Sequence, residues 1–128
     1  MKDRIIIIKI QAYLSRIARI YELIKDMNES DILALDDSFA LTQFLTNIHS
    51  LFEKVHSDEI AKKQIELGIR SLSTCRNTSA HDYDSLNWSK VKQLCRKLIS
   101  SETSTLLDEC IKIAEDNESE QINYMDEI

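Results

Sequence analysis

The chain has no proline and a single glycine, Gly68, among its 128 residues. The two strongest helix breakers are therefore almost absent, and no Asn-Gly or Asp-Gly pair is available to turn a hairpin, so the composition argues for helix and against strand. Cysteine is sparse and odd in number: Cys75, Cys95 and Cys110 lie far apart and form no C-x-x-C pair. That spacing cannot start a zinc site, and it suits reduced, mostly buried thiols in a cytoplasmic protein. Long apolar runs are missing too. Lys2 and Arg4 precede Ile5 to Ile8, but Lys9 ends the run after four apolar residues, too few for a signal-peptide core or a membrane span. Gly-rich phosphate loops, G-x-S-x-G elbows and a plausible His/Cys/carboxylate metal cluster are also absent from the sequence, which removes several enzyme classes.

What is present is enough for one domain, large enough to bury about two-thirds of its unfolded surface without disulfides or metal. The net charge is −6, and it is unevenly spread. Asp116, Glu118, Glu120, Asp126 and Glu127 give the last thirteen residues −5 with no Lys or Arg. From Asp58 to Ser100 the balance reverses, with eight Lys and Arg against five Asp and Glu. The overall acidity argues against a duplex-DNA binder, although one region is locally basic.

Hydrophobic spacing divides the chain into helices. Ile6, Ile10, Tyr13, Ile17, Ile20 and Ile24 recur every three or four residues and predict a long helix over 3–27. Ser30 or Asp31 is expected to cap a short turn at 31–35, and Asp36 or Asp37 a second main helix to about Val55, with Phe39, Leu41, Phe44, Leu45, Ile48, Leu51, Phe52 and Val55 as its apolar face. Ser57 or Asp58 should cap a third helix with the stripe Ala61, Ile65, Ile69 and Leu72, whose next step lands on Arg76. A lone arginine buried in a core would cost several kcal/mol, so Arg76 is expected to emerge into a cleft or subunit interface. Ser85 or Asn87 should cap a helix carrying Val91, Leu94, Cys95, Leu98 and Ile99. Ser100 or Ser101 should open a last one carrying Leu106, Leu107, Cys110, Ile111 and Ala114. The resulting expectation is an all-α, antiparallel four- to five-helix bundle over residues 1–115, followed by an acidic, flexible tail over 116–128.

The segment Cys75-Arg76-Asn77-Thr78-Ser79-Ala80-His81-Asp82-Tyr83 carries the chemistry. His81 can exchange a proton near neutral pH, and the planar donor fork of Arg76 suits a phosphate and the charge that builds on it. Positions five apart on an unbroken helix diverge by about 140°, so the two converge only if the helix ends between them or if two copies meet across a dimer. Together, without a metal, they could support attack of an RNA 2′-hydroxyl on the adjacent phosphate. Other candidates read as structural: His49 and His56 as packed or solvated residues, Trp88 as a packing residue, Cys75 as core, Tyr13 and Tyr21 as helix-surface residues.

Arg76-x4-His81-x-Tyr83 resembles the Arg-x4-His-x-Tyr signature of HEPN-domain proteins, specifically the HepT-like toxins paired with minimal nucleotidyltransferase antitoxins. Asp84-Ser85-Leu86-Asn87-Trp88, leading into a helix, and the early long helix are similar to that family as well, over roughly residues 1–110. Thr78-Ser79-Ala80 departs from it in being more polar than the branched apolar residues often found there. The resemblance implies a helical homodimer in the cytoplasm, acting as a metal-independent endoribonuclease with no cofactor at a site shared by two protomers. Arg76 would stabilise the phosphate, His81 act as general base or acid and Asn77 orient RNA. Tyr83 would accept AMP from the cognate nucleotidyltransferase, blocking the cleft with bulk and negative charge. The same bundle could alternatively be a non-catalytic, nucleotide-binding subunit of a nucleotidyltransferase complex, which the acidic net charge suits, or a purely structural dimer.

Overall fold

The computed structural model describes residues 1–67 and 86–127, with side chains through Ser119, and the described residues are all-α. The helices are α1 (Asp3–Ile24), α2 (Glu29–Leu33), α3 (Asp36–Glu53), α4 (Asp58–Glu66), α5 (Trp88–Leu98) and α6 (Ser101–Glu127). None of them is long and apolar enough to cross a membrane.

Helix α1 is the spine of the packing. Its isoleucines Ile6, Ile7, Ile10, Ile17 and Ile24 are buried to within 1% exposure, each contributing roughly 1.5–3 kcal/mol over an exposed position. Ile7 joins Ile6 and Ile10 as a core residue because the buried face is wider than a single stripe. Helix α3 lies antiparallel to α1: Tyr13 meets Phe44 at 5.6 Å between ring centroids, and Asp3 reaches the connection just beyond the end of α3. Helix α6 is also antiparallel, since Gln11 Nε2 donates to Asp108 Oδ1 at 3.2 Å while Arg4 Nε stands 3.6 Å from Glu118 Oε2. Helix α5 takes the other half of the spine. Leu98 shares a groove with Leu14 and Ala18, and Lys92 Nζ donates to the carbonyls of Met27 at 2.7 Å and Lys25 at 3.3 Å, satisfying acceptors just past the end of α1.

Local chemistry sets the boundaries, and it departs from the sequence expectation in several places. Helix α1 ends at Ile24, three residues early: Lys25 makes a last i→i−4 bond to Tyr21 O at 2.9 Å, and Met27 then turns back to Ile24 O, three residues away, at 3.0 Å. Asn28, rather than Ser30 or Asp31, caps α2, its side chain accepting from Asp31 N at 2.9 Å. Helix α3 starts after Leu35 with no side-chain cap and stops at Glu53. Asp36 and Asp37 sit in its first turn, where their charge faces the positive helix end. Ser57, Asn87 and Ser100 take their expected cap positions, accepting from Ile60 N at 3.3 Å, Lys90 N at 3.2 Å and Thr103 N at 3.4 Å.

Burial departs from expectation at four side chains. Phe39, placed by spacing on the apolar face of α3, is 54% exposed, and Ile65, placed in the α4 stripe, is 72% exposed. The buried positions of α4 are Ile60, and Leu67 just past its end; seven residues apart, they share one side of the helix, so its inward face is turned away from the phase that Ala61 and Ile65 suggested. Tyr13 and Tyr21 are half-buried against the core rather than on the surface. Tyr13 also accepts from Asn47 Nδ2 at 3.4 Å, and the Arg16 guanidinium stands 5.8 Å from the ring centroids of both Tyr13 and Phe44.

The first turn of α1 is tied to the α3–α4 connection by one carboxylate. Asp3 accepts from the backbone N–H of His56 and of Ser57, each at 2.9 Å, and its Oδ1 is 3.1 Å from His56 Nδ1. Burial alone would push the Asp3 carboxyl up, but those hydrogen bonds and the His56 ring outweigh it and hold it below the usual carboxylate range. A depressed folded-state pKa means that the stabilisation is complete above the unfolded value of about 4 and is lost as pH falls through the lower folded value. Urea titrations should show Asp3→Ala less stable than wild type by about 1–3 kcal/mol at pH 7. The gap should close as the pH is lowered through the acid range; a gap that is constant with pH would show that Asp3 contributes by packing alone.

Candidate functional site

Arg76, Asn77, His81 and Tyr83 all lie outside the described residues, as does Cys75. What is described is the frame on either side. Helix α4 ends with Leu67 N–H turned to the carbonyls of Lys63 and Gln64, at 3.3 and 3.2 Å, and with the Leu67 side chain only 4% exposed. On the other side stands Leu86, 4% exposed, followed by the Asn87 cap and by Trp88, 3% exposed at the first position of α5. The 18 intervening residues, 68–85, are thus bracketed by apolar side chains sunk into the common core. Trp88 is a packing residue, as its place in the first turn suggested. The turned phase of α4 also removes the basis for projecting an apolar stripe onward to Arg76.

The cations of the basic region divide by role. Lys63 pairs with Glu109 at 3.2 Å and fastens α4 to α6, while Lys92 serves the end of α1. Lys62, Lys90, Arg96 and Lys97 are exposed. Two of the six described cations counted in sequence as locally basic are therefore occupied in holding helices together. Four remain to act on an anionic ligand.

The two histidines that lie seven apart do not converge. His49 is nearly buried on α3 with Nδ1 3.1 Å from Glu53 Oε1, whereas His56 is exposed beyond the end of that helix and turns to Asp3. Among the described residues no group of three or more His, Cys, Asp or Glu is placed to hold a metal ion. A reading by apolar spacing passed over the polar flank of α3, where Ser38, Thr42 and His49 are buried beside Leu45. Ser38 and Thr42 donate to the backbone carbonyls of Leu35 and Phe39, both at 2.7 Å, which is how hydroxyls tolerate that burial. Their spacing of four and then seven residues is a helical period written in polar residues. A groove of about 270 Å³ between α1 and the α5–α6 junction was likewise missed; Leu14, Ala18, Leu98 and Leu107 line it together with Gln11 and Ser104. Nothing in a linear pattern marks a gap formed where two helices diverge over a third.

Cys95 and Cys110 are both buried. Burial pushes the Cys110 thiol up to about 11; Lys63 pulls it down, and Glu109 and Glu66 push the same way as burial. A thiol held that far above neutral carries almost no thiolate, which is the reactive form. Site-resolved mass spectrometry after alkylation at pH 8 should therefore find Cys110 modified at least about a hundredfold more slowly in folded than in urea-unfolded protein. Similar rates in the two states would show that α6 opens readily from α4.

No protein-family model matches the chain, and no curated protein or solved structure matches it.

Proposed function

We propose that the chain is a HepT-like ribonuclease toxin that cleaves RNA at a site built from Arg76, Asn77 and His81. The observation that carries this reading is the Arg76-x4-His81-x-Tyr83 triplet within a segment whose two ends are both anchored in one helical core, at Leu67 and at Leu86 and Trp88. Catalytic groups work only when held in place, and both flanks of the segment are fixed to that core. The exposed Lys62, Lys90, Arg96 and Lys97 on the flanking helices add positive charge close in sequence to the triplet.

In this reading the His81 imidazole takes the proton from an RNA 2′-hydroxyl. The oxygen attacks the adjacent phosphorus, and the bond to the 5′-oxygen breaks, leaving a 2′,3′-cyclic phosphate. The departing 5′-oxygen takes up a proton from a protonated imidazole or from water. Arg76 offsets the charge that accumulates on the phosphoryl oxygens, and Asn77 orients the substrate. The active form is a homodimer in the cytoplasm. A minimal nucleotidyltransferase antitoxin neutralises it when the Tyr83 hydroxyl attacks the α-phosphate of ATP, releasing pyrophosphate and leaving AMP on the ring oxygen.

An RNA cleavage assay in excess chelator, on protein whose intact mass shows no adduct, tests the reading. Wild type should cut, and Arg76→Ala and His81→Ala should each lose at least about a hundredfold. Tyr83→Phe should still cut but resist inhibition by the nucleotidyltransferase with ATP. Unmodified wild type that binds nucleotide but leaves every RNA intact would instead identify a nucleotide-binding subunit of a nucleotidyltransferase complex, the role that a net charge of −6 suits.

A further inference from the structure

The outward face of α1 presents aliphatic and cationic side chains together. Ile5, Ile8 and Leu23 are 38%, 44% and 46% exposed there. Single exposed aliphatics are ordinary, but three on one side of one helix form a patch. By helical spacing Lys9 and Arg16, seven apart, line one edge of that face, with Lys2 just before the helix. Ile5, Ala12 and Arg19 form the row beside them, and Leu23 follows one turn on. All of these side chains are exposed.

The same face is free of opposing charge. No Asp or Glu occurs between Asp3 and Glu22. The carboxylates held along the margins of α1 are engaged within the chain: Asp3 with the backbone at His56 and Ser57, Glu22 with Lys25, Asp108 with Gln11 and Glu118 with Arg4. A chain of net charge −6 thus keeps one side cationic over nearly the whole of its first helix.

We infer that this face docks on an anionic lipid bilayer. The chain rests on the headgroups with α1 in the membrane plane, Ile5, Ile8 and Leu23 dipping into the boundary of the acyl chains while Lys2, Lys9, Arg16 and Arg19 meet lipid phosphates. Binding is peripheral, since no described helix is long and apolar enough to cross. The acidic remainder of the surface is repelled by the same lipids, which turns α1 toward them.

The placement of the aliphatics decides the class of partner. Ile5 and Ile8 stand near one end of the face and Leu23 near the other, roughly 22 Å from Ile8 along the helix. A protein partner concentrates its affinity in a central anchored cluster, and the centre here holds only Ala12 among cations. An RNA would meet the cations but leave the aliphatics in water, and Tyr13 and Tyr21, the aromatics of α1, pack against the core instead of offering a stacking platform. A flat, fluid bilayer meets both ends and the cations at once.

Vesicle co-sedimentation of the full chain tests this, comparing phosphatidylcholine vesicles with vesicles in which about 30% of the lipid is phosphatidylglycerol. Wild type should bind the anionic vesicles at least about tenfold more strongly than the neutral ones, and high salt should release it. Lys9→Glu with Arg19→Glu should weaken that binding at least about tenfold. Ile8→Gln with Leu23→Gln should weaken it comparably at unchanged charge, because insertion acts together with attraction. All four positions are exposed, so these substitutions leave the core intact. Wild type that ignores anionic vesicles, binds both kinds alike, or binds as well after either pair of substitutions would overturn the proposal. If the charge reversals weaken RNA binding while no vesicle is bound, the face is a nucleic-acid track and the proposal is equally overturned.

Discussion

The packing of three described helices refers back to one row of isoleucines. Ile6, Ile7, Ile10, Ile17 and Ile24 give α1 an inward face that α3, α5 and α6 all share, so a single helix supplies the apolar surface against which three others find their places. Isoleucine is a modest helix former, and the cost in propensity is outweighed many times over by burial. Polar contacts then set the register: Gln11 with Asp108, Arg4 with Glu118, Asn47 with Tyr13, and the Asp3 carboxylate across the α3–α4 connection. Apolar burial supplies the cohesion, and these bonds select one alignment among several that would bury similar area.

The helical class, the order of the elements and most of the core could be read from spacing alone, because three- and four-residue apolar periods and Ser or Asn caps are local signals. Val91, Leu94, Cys95 and Leu98 are buried as their spacing demands, and Ile99 packs beside them. The misreadings share a physical origin. Ile65 and Phe39 have the right chemistry for a core but lie on helix faces to which no described helix core is turned, and only tertiary packing decides that. Asn28 caps α2 where Ser30 was expected because α1 stops early, and the carbonyls of the turn that follows are met by Lys92, sixty-five residues away from Met27. The candidate site is proposed from chemistry alone, through Arg76, His81 and Tyr83, since spacing along a sequence does not fix whether such groups converge.

The frame around that segment has a division of labour that composition hides. Lys63 and Lys92 look like members of a basic patch, yet one ties α4 to α6 and the other completes the end of α1. Counting charge along a sequence therefore overstates the field available to an anionic ligand whenever some cations are committed to backbone carbonyls or neighbouring carboxylates. The polar flank of α3 makes the converse point. Ser38, Thr42 and His49 are buried polar groups, and the first two satisfy their donors on carbonyls of their own helix or its cap, so polarity in a sequence is no guide to exposure when a backbone acceptor lies three residues back.

The antiparallel seating of α1 against α6 has a consequence for biosynthesis. Gln11 and Asp108 are 97 residues apart in the chain, so α1 completes its packing only once α6 has been made. At ordinary translation speeds roughly 5–20 s separate the two, and through that interval part of the isoleucine face has no final partner. On the ribosome α1 is a sticky amphipathic helix waiting for its cover, and α3, which follows the short α2, is the first long helix able to shield it.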